Sequence, residues 1–453
     1  MQPLPKEFEE QMKRLLGEAG FFAYLDALNQ PYTRALRVNL LLRPDGTPPC
    51  PIEGLGASVP WAKGAYFVEG DARPGLSPLH EGGLFYMQEP SALTAVTALD
   101  PQPGERVLDL CAAPGGKSTQ IAALMAGRGL LCCNEPIPSR AQILSRNIER
   151  MGVRNAVVLS AMPDALAPRF PAFFDRILVD APCSGEGMFR RQPEARDEWD
   201  ADAPRRCADR QMEILAQAAK MLRPGGTMVY STCTFNDTEN EGVLRRFLAL
   251  HPEFSLVPFA LPGLPEAKDG YLHLYPHEMR GEGHFVSRLK KADGADEADA
   301  PVQAAPQRKA PARAAAKGKA PAPIALPDVF SDAFAPERLY TAGDALWMLP
   351  EGISIERLSG LRVLRTGLLL AHAEGKRSEP DHALAMALRP EEAARTASLT
   401  QTQALAYQAG ETLSLGDLPG GYTLLCCEGV SLGWGKQAGG LMKNHYPKGL
   451  RRR

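Results

Sequence analysis

Between residues 101 and 250, short apolar runs alternate with stretches of helical spacing, and this alternation narrows the fold more than any other feature. Strands are expected at 107–110, 130–134, 156–159, 176–180 and 227–231. Helices are expected between and after them at 117–125, 139–151, 205–222 and 237–250. Strands that are apolar throughout, rather than at every second position, are buried on both faces, and intervening helices supply the cover. The pattern predicts an α/β domain built on a parallel, doubly wound, Rossmann-like sheet.

The whole chain has 453 residues, enough for about two or three domains. Apolar residues make up 44% and charged residues 23%, the balance of a globular protein. No run reaches the ~18 uncharged apolar residues of a membrane helix, and residues 1–20 lack the apolar centre of a secretion signal. A cytoplasmic monomer with no membrane segment is the expectation. The nine cysteines form no CxxC pair, so neither a disulfide framework nor a zinc or other metal site is expected. Cys132-Cys133 and Cys426-Cys427 lie in apolar stretches and read as small buried hydrophobes. A net charge of −2 gives no global attraction to nucleic acid, so any such surface must be local.

Residues 291–325 are rich in alanine and proline and contain no aromatic residue. Nothing there can bury apolar surface, so the segment reads as a linker. Arg308, Lys309, Arg313, Lys317 and Lys319 stand in its second half without an acid, which suits a solvated spacer or a weak RNA contact. The chain therefore divides into a small N-terminal lobe at 1–80, a catalytic domain at 81–290, the linker at 291–325 and a C-terminal domain at 326–453. In the lobe, Met12, Leu15, Leu16, Phe21, Phe22, Leu25 and Leu28 recur at helical spacing, and a strand is expected from Arg34.

The first strand of the sheet runs into Cys111-Ala112-Ala113-Pro114-Gly115-Gly116-Lys117 and then a helix. Small residues let backbone approach a ligand closely, and the helix start offers free N–H groups. Such a turn suits NAD, FAD or S-adenosylmethionine; the absence of a Walker pattern disfavours a nucleoside triphosphate. Glu135 closes the second strand about 20 residues on, where an acid binds ribose hydroxyls. The next loop, 160–164, should line the adenine, with Asp164 as one candidate contact. Two cysteines, Cys183 and Cys233, follow the ends of adjacent strands, the edge where such sheets bind ligands. From position alone either is a candidate nucleophile.

The Cys111–Lys117 loop resembles that of the Sun-domain family of RNA cytosine-C5 methyltransferases. Gln88-Glu89-Pro90-Ser91-Ala92, Asp180-Ala181-Pro182-Cys183-Ser184-Gly185 and Ser231-Thr232-Cys233-Thr234 are similar to three further motifs of that family. The resemblance implies S-adenosylmethionine as methyl donor, held by Cys111, Ala112, Ala113, Pro114, Gly115, Gly116, Lys117, Glu135 and Asp180. It also implies catalytic roles for Cys233, Cys183, Asp180 and Lys117. Cytosine C5 is a poor nucleophile until a thiolate adds at C6, so the chemistry needs one activated cysteine and acid–base partners. By resemblance Cys233 attacks and Cys183 assists release of the product. Asp180 is placed to meet the base edge. Lys117, misplaced for a helix start, is placed to pair with Asp180.

Gly343-Asp344-Ala345-Leu346-Trp347 and the basic tail 443–453 resemble the PUA-like α+β RNA-binding domain of bacterial RsmF-type enzymes, and 33–39 resembles their N-terminal RNA-binding lobe. The implied partner is RNA, specifically 16S rRNA or the small ribosomal subunit. A tRNA cytosine-C5 methyltransferase is the alternative with the same chemistry, and a non-catalytic RNA-binding scaffold is the alternative of another class. A DNA methyltransferase is disfavoured: Pro182-Cys183 fits, but the companion Glu-Asn-Val element is missing. Arg190, Arg191 and Arg196 are candidates for phosphate contact or ordinary surface charge. The aromatic of the basic tail, Tyr446, is a candidate for stacking on a base, and Trp434 for exposure or core packing. The long linker predicts loose coupling of the C-terminal domain to the body.

Overall fold

The computed structural model of the chain describes residues 3–294, 324, 329, 336–374 and 377–451. Its centre is a nine-stranded sheet. In chain order the strands are β1 (Arg106–Asp109), β2 (Leu130–Asn134), β3 (Ala156–Leu159), β4 (Phe174–Asp180), β5 (Leu222–Thr232), β6 (Phe254–Leu256), β7 (Tyr271–Leu274), β8 (His284–Lys291) and β9 (Val363–Arg365). They lie in the order β6-β8-β5-β4-β1-β2-β3-β9, with β7 paired to β8. The five strands from β5 to β3 are mutually parallel; β8 and β9 flank them antiparallel, and β6 and β7 extend the sheet beyond β8.

Adjacent residues of these strands enter different cores. Val107, Cys133 and Leu178 pack into one layer, while Leu108, Cys132 and Val179 pack into the other. This is why the strands read as unbroken apolar runs. Each such side chain stabilises the fold by about 1.5–3 kcal/mol. Helices Gly116–Leu124, Pro138–Arg150, Ala203–Met221 and Glu241–Leu250 connect the strands. β5 begins earlier than expected, because Pro224-Gly225-Gly226 continues the strand instead of turning it. The helix expected from residue 237 begins at Glu241, because the preceding polar side chains are tied to the site.

Helix Lys6–Leu28 bends at Gly17, whose φ of 70° suits glycine, and packs Phe8, Met12 and Tyr24 against Phe189, Trp199 and Phe235. The lobe's four-stranded sheet is antiparallel, in the order Leu55–Ser58, Ala65–Val68, Arg34–Val38 and Phe85–Gln88. The C-terminal region forms two further four-stranded sheets, one spanning Leu339–Ala342 to Arg377–Pro380 and one Thr396–Leu399 to Leu441–Asn444. From residue 295 to 323 the expected linker lies outside the described residues.

Loose coupling of the C-terminal region is corrected by its contacts. β9, from that region, completes the catalytic sheet, with Val363 opposite Leu159. Leu36 of the N-terminal lobe and Phe85, on the strand paired with it, share one core with Leu425 and Tyr407. Arg154 pairs with Glu392, and Arg365 with Glu149. A long connection fixes how far two parts can travel, not how well their surfaces fit.

Candidate active site

The chain order of the sheet reverses between β1 and β4, and open α/β sheets bind ligands at the carboxyl side of such a point. A cavity of about 700 Å³ opens there. Cys111 and Ala113 from the loop after β1, Glu135 after β2, Asp164 after β3, and Asp180 and Cys183 from β4 and its loop all line it, as does Cys233 after β5. Ala112 is buried, its N–H donating to the Asn134 carbonyl at 2.8 Å. The Pro114 carbonyl accepts from Asn147 Nδ2 at 2.9 Å. Gly115, at φ 113°, turns the loop into the helix, and a Cβ on Gly116 would meet Tyr86 at 3.3 Å.

Lys117 Nζ donates to Asp180 Oδ2 at 2.8 Å, and Ser231 Oγ donates to Asp180 Oδ1 at 2.9 Å. Burial alone would raise the Asp180 carboxyl, but the Lys117 charge overrides it and holds the group well below the usual carboxylate range. Burial likewise pulls the Lys117 ammonium down, and the Asp180 charge overrides it upward. The two are an ion pair across the pH range of a cell.

The sulfurs of Cys183 and Cys233 are 3.3 Å apart. Their hydrogen bond, then burial, holds the Cys183 thiol well above the ordinary thiol range. Either thiol can donate to the other across this contact. Charge on Cys233 would in turn favour the Lys117 ammonium, so the two side chains are close enough to interact. The two sulfurs and the Lys117 ammonium thus belong to one site, a nucleophile-type side chain beside a second thiol and a cation.

The two cysteine loops are stapled to each other. Ser184 Oγ and Thr234 Oγ1 are 2.8 Å apart, and Gly187 N–H donates to the Cys233 carbonyl at 2.8 Å. Buried Glu239 accepts from Ser184 N–H at 3.0 Å, Gln211 Nε2 at 2.9 Å and Asn236 Nδ2 at 2.8 Å. Glu186 accepts from the N–H groups of Phe235 and Asn236 at 2.8 and 3.1 Å. These carboxylates fix the distance between the thiols through backbone held on both sides.

Family models divide the chain four ways. "N-terminal domain of 16S rRNA methyltransferase RsmF" matches residues 4–90, and "16S rRNA methyltransferase RsmB/F" matches 96–290. "RsmF rRNA methyltransferase first C-terminal domain" matches 327–388, and "Methyltransferase RsmF PUA domain" matches 394–452. The ribosomal RNA small subunit methyltransferase F of Erwinia tasmaniensis is 34% identical over 470 residues, covering 98% of this chain and 96% of the relative. The chain belongs to the RsmF family of 16S rRNA methyltransferases. The Escherichia coli O127:H6 protein of the same name is 33% identical over 475 residues, covering 98% and 96%. Among solved structures, a methyltransferase homolog protein from Pyrococcus horikoshii is 30% identical at a TM-score of 0.54, covering 63% of this chain and 95% of that one. NSun6 from the same organism, at 23% identity and a TM-score of 0.55, covers 64% and 99% and shares the fold.

The structure of this RsmF-family chain decides several placements that the sequence left open. Arg190 is not a phosphate contact here: its guanidinium is buried against Glu282 at 2.7 and 2.8 Å and donates to the Ala27 carbonyl at 2.7 Å. Buried Arg196 donates to the Phe189 carbonyl at 3.0 Å. Arg191 alone of the three is exposed. Trp434 belongs to the core, donating to the Asp381 carbonyl at 2.8 Å. Tyr446 is buried too, so the aromatic of the basic tail does not stand free to stack. Met162, exposed on the cavity wall, comes from the 160–164 loop expected to line the adenine, whereas sequence reasoning missed exposed Ile137 and also Arg210 and Glu213, which line the same cavity. It also missed the Glu239 network and His284, although polar Asn236, Glu239 and Asn240 follow Cys233 closely in the sequence.

Proposed function

We propose that the protein methylates carbon 5 of a cytosine in 16S rRNA, with S-adenosylmethionine as donor and Cys233 as covalent nucleophile. The observation that carries the reading is the pair of thiols on the wall of one cavity, with the Lys117–Asp180 ion pair beside them. The cavity suits the donor. Glu135 offers a carboxylate for ribose hydroxyls, and exposed Ile137 and Met162 offer apolar faces for adenine.

Cys233 adds to C6 of a cytosine flipped out of its stack, which breaks aromaticity and gives C5 carbanion character. S-adenosylmethionine, held by the Cys111–Lys117 loop and Glu135, would supply the methyl group for C5. Asp180 accepts a hydrogen bond from the base edge and steadies it as charge develops on the ring. Lys117 keeps Asp180 ionised. After the C5 proton has gone to a base, the C6–S bond breaks, and Cys183 assists that release. Residues 1–80 and the PUA-like region from 326 hold the RNA while 81–290 perform the transfer in the cytoplasm, the protein acting as a monomer.

Bisulfite sequencing of total RNA from a strain lacking the protein is the test. One or more 16S cytosines should lose their methyl mark, and restoring the wild-type chain should return it. A mark lost from tRNA with 16S unchanged would overturn the substrate.

A further inference from the structure

His284 stands in this centre with chemistry that the proposed reaction leaves unused. It opens β8 opposite Leu274 and is 3% exposed. Its Nε2 is buried without a hydrogen-bond partner among the described residues. That atom lies 3.6 Å from Asp180 Oδ1, just beyond hydrogen-bond reach. A buried nitrogen left short of a partner costs stability that a phenylalanine in the same space would not. The charged groups facing the imidazole are Asp180 from β4, Lys117 from the Gly116–Leu124 helix and Glu89 from the segment ahead of the sheet. Burial, reinforced by the Lys117 charge, holds the imidazole below the ordinary histidine range against the pull of Asp180. At pH 7 it is therefore neutral and has one N–H to give.

We infer that His284 is a positioning residue for the methyl transfer, its Nε2–H closing onto Asp180 Oδ1 when the target base enters and fixing that carboxylate as an acceptor facing the base. The inference rests on the cytosine-C5 reading above. Lys117, Ser231 and His284 together surround Asp180 with protein donors. A carboxylate so held stays ionised, cannot swing, and keeps its remaining lone pairs for the exocyclic amine of cytosine. A protonated imidazole would crowd a second cation against Lys117, so the neutral form is the working one.

The test uses the full chain, 16S rRNA and labelled S-adenosylmethionine, and reads single-turnover transfer against pH. His284→Phe fills the space without a donor, and His284→Gln restores an N–H. The Phe variant should transfer about tenfold more slowly, the cost of one hydrogen bond to a charged group. Its KM for S-adenosylmethionine and its RNA affinity should hold. Its acid limb should weaken or vanish, because the imidazole whose protonation takes the wild type out of its working form is gone. The Gln variant should recover most of the rate. A Phe variant with wild-type rate and pH profile overturns the inference. So does equal loss in both variants with lowered melting temperatures, which marks packing alone. Nitrogen-15 histidine spectra of the wild-type protein decide independently of any variant: an Nε2–H tautomer supports the role, and an Nδ1–H tautomer overturns it. Wild-type transfer to C5 with an indifferent Phe variant sinks only His284, whereas transfer to another atom sinks the reaction and the inference together.

Discussion

Two sets of cysteines in this chain share a residue type and little else. Cys132 and Cys133 lie inside β2, and Cys426 and Cys427 inside strand Gly421–Cys427, all four buried. Burial raises every one of these thiols, Cys426 to about 12 and Cys427 to about 11. Cys183 sits three residues and Cys233 one residue past a strand end, on the wall of a cavity and 3.3 Å from each other. A strand interior makes a thiol a filler. The end of the strand gives it a neighbour, a cation and a route for substrate.

Substitutions should separate the two sets most sharply at Cys233. Cys233→Ala should lower methyl transfer by on the order of 10⁴-fold or more, the scale of losing a covalent nucleophile, with RNA binding retained. Cys183→Ala should instead hold the protein on its RNA as an adduct that survives a denaturing gel. Adducts of equal yield in both variants would erase the distinction between the two sulfurs.

The pair beside them comes next in size. Asp180→Asn leaves Lys117 largely buried without its counter-ion, which should cost about 2–3 kcal/mol in denaturant unfolding, less than a fully enclosed pair because Asp180 keeps some exposure. The folded-state carboxyl is depressed, so its contribution is complete above the ordinary carboxylate range, near pH 4, and is lost as pH falls below it. The gap between wild type and variant should therefore be flat from pH 5 to 8 and shrink in acid. A gap that grew in acid would reverse the assignment of charge.

The smallest effect belongs to the filler set. Cys132→Ala should cost about 1 kcal/mol of stability and leave the transfer rate unchanged. A loss of rate at constant stability would give that thiol a part in the chemistry.

The sheet was legible because its strands are buried on both faces. Continuous apolar runs such as 156–159 announce themselves, and the Ala156–Leu159 strand falls on those residues. The positions of Asp180, Cys183 and Cys233 at strand ends followed from the same pattern. What did not follow was long-range pairing. Arg190 reads as surface charge until Glu282, 92 residues away, is seen to hold it. β9 is three residues long and joins the sheet from beyond the linker, so no local periodicity marks it. His284 is silent for the same reason, since its meaning lies in Asp180, on a strand it does not pair with and 104 residues earlier in the chain.

Because β9 arrives from so far downstream, the Ala156–Leu159 edge has no antiparallel neighbour until residue 365 has left the ribosome that is making the chain. An uncovered strand edge invites pairing with other chains. A gene cut after residue 294 would thus yield a product prone to clump even though all its motifs were intact, and the nascent enzyme passes through the same vulnerable interval at every synthesis.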